Sequence, residues 1–535
     1  MKKRFWLSFL LVAFSVSMIF AQNYGKAKNV IMMIPDGMSI ESQTMARWME
    51  DDYEFVMDGM VTGLVRTNNS NTPIADSAPA GTAMATGVKT QSPYIATYSG
   101  VSGNMPGALP FDSAKANMPL ATILEGAKKI GKSTGIVSTS NVQHATPADF
   151  SSHYPNRNAY EVLAEQQVYQ NMNVVFGAGS RYLQNRKDGE NLVKVLKAEG
   201  YEYVTTTAEL KKAKGDKVWG MFAEKAMAYD IDRDPAKEPS LAEMTEKALS
   251  LLSKNKKGFF LMVEGSEIDW ANHANDPVGC VSDIRAFDKA VAVAKKFADK
   301  NPGTVIVIAA DHGTGGLTFG ENGIAKGYDK VPLDEFTRYI KNAKKTCAGA
   351  AAMLDKNMTN IASVMSEVYG INDLTNDEIS YIKNGENLPE GMQEAIGHVI
   401  AKRSHIGYTT TGHVGGDIAL YCYTSGKVKT LSGLVHNADI GKYMASVFGL
   451  NLHAITDELY NEAASAAKKI GATVQIDTSD TENLVLVMSK KNTTVKFPAN
   501  KNHAFVNGKE VKLQSLVVYN GEKFYVPQEA LNLVK

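Results

Sequence analysis

Residues 29–38 read NVIMMIPDGM, an apolar run that stops at Asp36. Two other short runs have the same form: residues 258–263 (GFFLMV) lead into Glu264, and residues 304–309 (TVIVIA) lead into Asp311. Such continuous β-branched or aromatic runs are typical of strands buried on both faces. Helical patterns lie between them, and this alternation predicts an α/β fold with a central, mainly parallel sheet flanked by helices. The helical patterns cover residues 40–49, 120–130, 191–198, 241–252 and 283–298, and further strand candidates cover residues 135–138, 173–176 and 418–423.

Acidic side chains follow the three strongest strand candidates. In an open parallel sheet, ligands bind just beyond the carboxyl ends of the strands. Three carboxylates that converge there would repel one another unless cations neutralised them. One Asp after a strand is more simply explained as a helix cap or a turn residue. Three such strand ends with histidines nearby instead indicate a metal site, with Asp36, Glu264 and Asp311 as candidate ligands.

Histidines accompany these strand ends. Asp269 and His273 lie four residues apart, so they share one face if a helical turn forms there. That spacing suits one zinc ion with carboxylate and imidazole ligands. His312 follows Asp311 directly, and His413 lies in the glycine-rich segment TTTGHVGGD ahead of another strand candidate. Two ions about 4 Å apart would clamp both sides of an in-line phosphoryl displacement.

Ser77 is the candidate nucleophile, in the small-residue stretch ADSAPAGTA at residues 75–83. The stretch is interpreted as a loop that enters a helix at residues 80–86. A serine at a helix N-terminus stands where free N–H groups and the helix dipole favour an anion. The alternative is that Ser77 or Asp76 only caps that helix. A metal at the hydroxyl would lower its pKa and remove the need for a histidine base.

Two further side chains follow the strand candidate at residues 135–138. Thr146, in the sequence HATP, offers an oxygen ligand, and Arg157, in YPNRNAY, offers a planar guanidinium that can fork onto two phosphate oxygens. Each is equally compatible with an ordinary loop residue when it is taken alone.

The N-terminal residues predict export. A basic start (KKR) precedes an apolar run over residues 5–20, which is short for a membrane span, and Ala21 is a small residue where a signal peptidase would cut. Residues 1–21 are therefore predicted to be a signal peptide, with an uncleaved anchor helix as the alternative. The mature chain would then have no transmembrane anchor and would work in the periplasm or outside the cell.

The composition argues against nucleic-acid binding and against a metal site built from cysteines. Lys and Arg number 57 and Asp and Glu number 57, so no net field favours nucleic acid, and no nucleic-acid binding is expected. Cys280, Cys347 and Cys422 stand singly and do not form a disulfide framework, although one bridge remains open. Any metal must therefore use His, Asp and Glu.

The chain is expected to divide into a catalytic domain at residues 22–465 and a small β-rich module at residues 466–535. Within the first, residues 332–402 are helix-rich and are interpreted as an insertion. The module contains short strand-like runs and two Asn-Gly pairs, which are strong signals of type I′ hairpins. The runs cover residues 484–488, 493–497, 503–506, 511–513 and 524–526, and the pairs are residues 507–508 and 520–521.

Over residues 29–450 the chain resembles the alkaline phosphatases, within the larger superfamily of that name. The resemblance is carried by the motifs PDGM, DSAPAGTAMATGVKT, HATPADF with the following NRN, VEGSEIDWANHAND, ADHGTGG and TGHVGGD. The tail phrases VNGKEV and YNGEKFYVP resemble the copper-amine-oxidase-like N-terminal (stalk) module that is appended to some secreted bacterial enzymes.

The resemblance implies two zinc ions and a third ion, usually magnesium. It assigns Asp269, His273 and His413 to the first zinc, Asp36, Ser77, Asp311 and His312 to the second, Asp36, Thr146 and Glu264 to the third ion, and Arg157 to the phosphate. Where the best-known enterobacterial enzyme has Asp and Lys, this chain has His144 and Trp270, a combination similar to the branch that includes animal enzymes. The third ion could then be magnesium, zinc or cobalt. His144 would either bind it directly or contact it through a water molecule.

The implied activity is hydrolysis of small-molecule phosphomonoesters through a phosphoserine on Ser77. Two alternatives stay open: a phosphodiesterase or nucleotide pyrophosphatase of the same superfamily, and a non-catalytic phosphate-binding surface protein. The first usually presents Thr as nucleophile, and the second is opposed by the complete ligand set. Dimers are common in the family, so a homodimer is also open, although the sequence shows no interface.

Overall fold

The computed structural model describes residues 23–534. The expected signal peptide at residues 1–21 lies outside this range. Within it, no helix has the length and apolar character needed to cross a membrane.

The strands in chain order are β1 (Asn29–Pro35), β2 (Val61–Arg66), β3 (Ser133–Asn141), β4 (Val174–Ala178), β5 (Glu202–Val204), β6 (Val218–Met221), β7 (Phe259–Gly265), β8 (Thr304–Ile308), β9 (Gly313–Thr314), β10 (Thr318–Phe319), β11 (Ile406–Gly407), β12 (His413–Val414), β13 (Ile418–Thr424), β14 (Gly433–His436), β15 (Asn461–Glu462), β16 (Thr473–Asp477), β17 (Val485–Lys490), β18 (Thr493–Pro498), β19 (His503–Val506), β20 (Lys509–Lys512), β21 (Val518–Tyr519) and β22 (Phe524–Val526).

The α-helices are α1 (Ile40–Arg47), α2 (Ser77–Thr86), α3 (Ile123–Lys129), α4 (Ala145–Ser151), α5 (Tyr160–Tyr169), α6 (Leu192–Ala198), α7 (Thr207–Lys212), α8 (Leu241–Leu252), α9 (Glu267–His273), α10 (Pro277–Lys300), α11 (Leu333–Lys341), α12 (Cys347–Ala351), α13 (Ile361–Tyr369), α14 (Asn376–Lys383), α15 (Gly391–Arg403), α16 (Asn437–Phe448), α17 (Leu452–Leu459), α18 (Ala463–Ile470) and α19 (Gln528–Leu531).

A large sheet forms the centre of the molecule. Across residues 23–534 it has ten strands in the order β14-β2-β13-β8-β1-β7-β3-β4-β6-β5. The neighbours pair in parallel except β13, which runs antiparallel to both β2 and β8. Every residue of β1, β7 and β8 is buried, as expected for strands covered by helices on both faces. The predicted α/β fold with a mainly parallel sheet is confirmed.

Two helix boundaries differ from the sequence expectation, and capping side chains explain both. The helix expected from residue 120 begins at Ile123, because Thr122 and Glu125 form a reciprocal capping box at its start. The helix expected from residue 283 begins earlier, at Pro277, because the Asp276 carboxylate accepts hydrogen bonds from two N–H groups of the first turn. Proline fits that first position because no intrahelical partner exists there for a missing N–H.

Two other segments have the predicted secondary structure. Residues 332–402, which lie wholly inside the described range, contain helices α11 to α15 and no strand. The C-terminal segment is rich in antiparallel strands, with a sheet ordered β16-β17-β18-β19-β20 and a second one ordered β15-β22-β21. Its apolar core includes Leu486, Met488, Val495 and Phe497.

The two Asn-Gly pairs behave differently. Asn507 and Gly508 both have positive φ, 49° and 87°, and join β19 to β20, as a type I′ turn requires. The second pair does not form a type I′ turn, because only Gly521 has a positive φ. The Asn520 side chain instead accepts hydrogen bonds from the N–H groups of Glu522 and Lys523, which closes a four-residue loop between β21 and β22.

The three cysteines lie within the described range and are buried and free. The disulfide left open by the sequence is therefore absent from the described structure.

Candidate active site

The predicted ligands meet at one edge of the large sheet. Asp36 follows β1, Glu264 lies near the end of β7, and Asp311 follows β8, so the parallel strands bring these carboxylates to their shared carboxyl edge. His413 reaches the same edge from the opposite direction. It precedes β13, which runs antiparallel to β8, so the amino end of β13 lies beside the carboxyl end of β8.

The first ligand group contains Asp269, His273 and His413. His273 Nε2 lies 3.3 Å from Asp269 Oδ2 and 3.1 Å from His413 Nε2, so the three side chains converge on one point. The other ring nitrogens face backbone carbonyls: Nδ1 of His273 faces the carbonyl of Thr411, and Nδ1 of His413 lies 2.9 Å from that of Ala75. Such outer partners fix the ring orientation and leave Nε2 free for a metal.

The second ligand group contains Asp36, Asp311 and His312, all buried. His312 Nε2 lies 3.2 Å from Asp311 Oδ2 and 3.7 Å from Asp36 Oδ1. Asp311 Oδ1 accepts hydrogen bonds from the N–H groups of Gly37 and His312. Asp36 Oδ1 and Asp311 Oδ2, by contrast, are buried without a hydrogen-bond partner among the described residues.

The third ligand group contains Asp36, His144 and Glu264. Thr146 donates a hydrogen bond of 3.3 Å to Asp36 Oδ2, so it stands beside this group as predicted. Sequence reasoning missed Ser138, whose hydroxyl donates to Glu264 Oε2 at 2.5 Å. Its position in β3, which pairs with β7, is the signal that could have found it. Glu264 Oε1 and His144 Nδ1 have no partner within residues 23–534.

Ser77 lies among these groups. It is the first residue of α2, which begins three residues earlier than expected because Pro79 is tolerated in a first helical turn. The side chain is buried, and its Oγ lies 3.2 Å from His312 Nε2. Of the two residues in the capping alternative, Asp76 occupies the N-cap position, although its side chain makes no hydrogen bond to the helix, and Ser77 is the first helical residue.

Asp76 instead pairs with Arg157 across the site. Arg157 Nη1 contacts Asp76 Oδ1, and Arg157 Nη2 lies 2.9 Å from His144 Nε2. Ser92 donates a second hydrogen bond to Asp76 at 2.7 Å. The structure therefore brings Arg157 to the helix N-terminus that carries Ser77, and it adds Asp76 as a partner that the sequence identified only as a cap candidate.

The charges of the site favour bound cations. Burial raises the pKa of the Asp36 carboxyl well above its ordinary value, and the nearby Asp311 carboxylate raises it further. Burial also raises the pKa of Glu264 to about 7. Burial and the adjacent Arg157 lower the pKa of His144 to about 3, which keeps its imidazole in the neutral form that binds metals. Crowded carboxylates with unpartnered oxygens are the arrangement that a metal ion relieves.

A buried serine, an arginine and three metal-ligand groups at the carboxyl edge of an α/β sheet define a metal-dependent hydrolase. Residues 27–450 match the family model described as alkaline phosphatase, and residues 447–533 match the one described as copper amine oxidase N-terminal domain. The chain belongs to the alkaline phosphatase family, whose activity is the hydrolysis of phosphate monoesters.

Known relatives agree with this assignment. The chain is 37% identical over 435 residues to alkaline phosphatase 4 of Bacillus subtilis, covering 78% of this chain and 88% of the relative. The crystal structure of a cold-active alkaline phosphatase from Shewanella sp. is similar with a TM-score of 0.67 and 30% identity, over 78% of this chain and 99% of the other. The crystal structure of Thermus thermophilus alkaline phosphatase is similar with a TM-score of 0.71 and 27% identity, over 80% of this chain and 92% of the other.

Proposed function

We propose that the chain hydrolyses phosphate monoesters through a phosphoserine formed on Ser77. The observation that carries the proposal is the position of Ser77 Oγ, buried at the start of α2 and 3.2 Å from a nitrogen of the second ligand group. The free N–H groups of the first helical turn and Arg157 supply positive charge on the same side, which favours a phosphate there.

The residues present fit metal ions at all three groups. Asp36 Oδ1, Asp311 Oδ2 and Glu264 Oε1 are buried and unpartnered among the described residues, so each has a free lone pair to offer. Carboxylate and imidazole donors in the first two groups suit zinc. The oxygens of Asp36, Thr146 and Glu264 suit magnesium, whereas direct binding by His144 would favour zinc or cobalt. When bound, such ions lower the pKa of hydroxyl groups and neutralise charge on the phosphoryl group.

The chain's own side chains have distinct roles in the two transfers. Ser77 Oγ gives up its proton and attacks phosphorus as the ester P–O bond breaks, and the leaving oxygen takes up one proton to depart as the alcohol. Arg157 turns from Asp76 and binds two non-bridging phosphate oxygens through its planar fork. A water molecule then attacks the phosphoserine, the Oγ–P bond breaks, and inorganic phosphate leaves as the Ser77 hydroxyl is restored. Two in-line transfers give net retention at phosphorus.

We also propose how the chain is organised and where it works. Residues 1–21 serve as a signal peptide for export to the periplasm or the exterior, residues 22–465 form the catalytic domain with its insertion at 332–402, and residues 466–535 form the module. A homodimer is the proposed assembly because dimers are common in the family.

The test is the rate of p-nitrophenyl phosphate hydrolysis by the Ser77→Ala variant, measured beside Ser151→Ala, which removes a buried hydroxyl that bonds to Pro147 and Gln167. We expect Ser77→Ala to lower kcat by at least about 10³-fold, since it removes the covalent route. Incubation of the wild type with labelled phosphate at acid pH should trap label on Ser77. A near wild-type rate in Ser77→Ala would refute the mechanism. Faster hydrolysis of bis(p-nitrophenyl) phosphate than of the monoester would favour the phosphodiesterase alternative.

A further inference from the structure

Two packed helices, α2 and α4, both begin at the active site. Ser77 is the first residue of α2, and His144 caps the start of α4, whose first turn contains Thr146. Further along, Gly81 of α2 faces Asp149 of α4. Residues three or four apart lie on the same side of a helix, so Gly81 lies beneath Ser77 and Asp149 beneath Thr146. The contact between Gly81 and Asp149 therefore lies one turn below the nucleophile and the third ligand group.

The two helices approach each other closely because residue 81 has no side chain. A Cβ atom at Gly81 would lie 3.1 Å from Asp149 Cγ and nearer still to Asp149 Oδ2. Asp149 is fully buried, so its carboxyl group has little space in which to turn away. Glycine destabilises the interior of a helix relative to alanine, and close approach of a neighbouring group is a reason for it to be there. The missing methyl group thus sets the distance between α2 and α4.

A hydrogen bond beside this contact holds the two helices together. The Thr82 hydroxyl on α2 donates to Asp149 Oδ1 at 2.8 Å and accepts from the Ala96 N–H at 2.8 Å. Asp149 Oδ2 is buried against Gly81 and has no hydrogen-bond partner in the described part of the chain. A buried polar atom without a partner costs free energy, so packing alone does not favour an acid at this position. What the acid supplies is the bond to Thr82.

We propose that Asp149 is a positioning residue for the reaction at Ser77. Together with Thr82 and Gly81 it fixes the distance between α2 and α4, and therefore the distance between Ser77 and the third ligand group. A nucleophile displaced by about 1 Å can react about 10²-fold more slowly, so this spacing controls the rate. The inference rests on the proposed function, because Ser77 is taken to be the nucleophile.

The first test compares Gly81→Ala with the double variant Gly81→Ala/Asp149→Ala. The added methyl group should push the helices apart and reduce kcat for p-nitrophenyl phosphate by about 10²-fold. KM should change by less than about threefold, because Arg157, which binds the phosphate, lies on neither helix. Removal of the Asp149 carboxyl group makes room for the methyl group, so the double variant should regain at least about fivefold in kcat.

The second test removes the hydrogen bond. Thr82→Val and Asp149→Ala should each lower kcat about tenfold, whereas Asp149→Asn should stay within about threefold of the wild type. Burial raises the pKa of the Asp149 carboxyl well above its ordinary value, so a neutral amide can replace the neutral acid and keep an oxygen for Thr82. Thr86→Val is the matched control. Thr86 is buried on the same helix, but its hydroxyl bonds to the carbonyl of Thr82 and the N–H of Val88, so kcat should change less than about twofold.

Melting temperatures and metal contents, measured with saturating zinc and magnesium, separate a displaced nucleophile from a loss of folding or of ions. The inference is supported if Thr82→Val and Thr86→Val melt alike and only Thr82→Val loses kcat. If Gly81→Ala does not fold, this pair of threonine variants decides the question.

Equal kcat in the two threonine variants, a wild-type kcat in Gly81→Ala, or losses that only follow melting temperature or metal content would overturn the inference. Each of these results would leave hydrolysis through Ser77 intact. Full activity of Ser77→Ala would instead count against the proposed function. Crystal structures of the wild type and Gly81→Ala would still show whether residue 81 sets the distance between the helices.

Discussion

Two clusters of carboxylates in this molecule contain similar side chains but differ in whether protein cations pair with them. At the carboxyl edge of the sheet, Asp36, Glu264 and Asp311 are buried, and each keeps an oxygen without a partner among the described residues. At the boundary with the C-terminal module, Glu165, Asp188 and Glu190 also approach one another closely enough to hold an ion. The geometry of the acidic atoms alone does not distinguish the two.

The cationic neighbours distinguish them. Lys501, which comes from the C-terminal module, lies 3.0 Å from Glu190 and 3.4 Å from Glu165. Arg186 pairs with Asp188 through two of its nitrogens. The boundary cluster therefore has two protein cations beside it, one of them from the C-terminal segment, whereas the cluster at the sheet edge leaves carboxylate oxygens free for ions from solution. Unpartnered buried charge marks the functional site, and partnered charge marks a structural contact.

The largest expected effect is a loss of kcat when a carboxylate of the sheet-edge cluster, but not of the boundary cluster, is replaced. Asp36→Ala should reduce kcat for p-nitrophenyl phosphate by about 10³-fold, because it removes a carboxylate shared by two ligand groups. Asp188→Asn is the matched control in the other cluster and should change kcat by less than about twofold, since it lies outside the site. Equal losses in the two variants would contradict the distinction drawn here.

Chelation should have the next largest effect. Treatment of the purified protein with EDTA should abolish activity and lower the melting temperature, because ions that bind only the folded state contribute about 3 kcal/mol when they are present at 100 times their Kd. Zinc with magnesium should restore both properties. The Asp36→Ala variant should show a smaller change in melting temperature on chelation. A chelated protein that keeps its full melting temperature would show that no tightly bound ion sits in the ligand groups.

The smallest expected effect concerns pH and the boundary cluster. Burial raises the pKa of Glu165 to about 7, above its ordinary value, so the unfolded state loses this proton first as pH rises. The free energy of unfolding should therefore fall between about pH 4.5 and pH 7 and then level off. Glu165→Gln should remove this dependence and be more stable than the wild type at pH 8 by about 1–3 kcal/mol, with no difference near pH 4.5. Urea unfolding of both proteins at pH 4.5 and pH 8 measures this difference in the free energy of unfolding. If the variant keeps the wild-type pH profile, Glu165 is not the group responsible.

The sequence predicted the central strands because their patterns are strong. The strands β1, β7 and β8 occur where expected. Because both faces of each strand are covered, their sequences are continuous apolar runs that are easily recognised. The edge strand β14 and its neighbour β2 were not predicted. Both are partly exposed and each contains a glycine, so no continuous apolar run marks them.

The candidate site was predicted unevenly for a similar reason. Residues with ligand chemistry next to strong strands, such as Asp311 and His312, are recognisable from local sequence. Asp76 and Arg157 are 81 residues apart in the sequence, so no local sequence pattern predicts that they pair.

The amino-acid sequence by itself determined the donors: a serine at a helix start, and carboxylates and imidazoles placed directly after apolar strands. Only the tertiary structure decided which of them meet. The order of the strands in the sheet differs from their order in the chain, and β13 alone among its neighbours runs in reverse, which carries His413 to the edge where Asp269 and His273 stand. That arrangement depends on packing between distant segments, and it is packing that leaves some buried carboxylates paired with lysine or arginine and others open to metal ions.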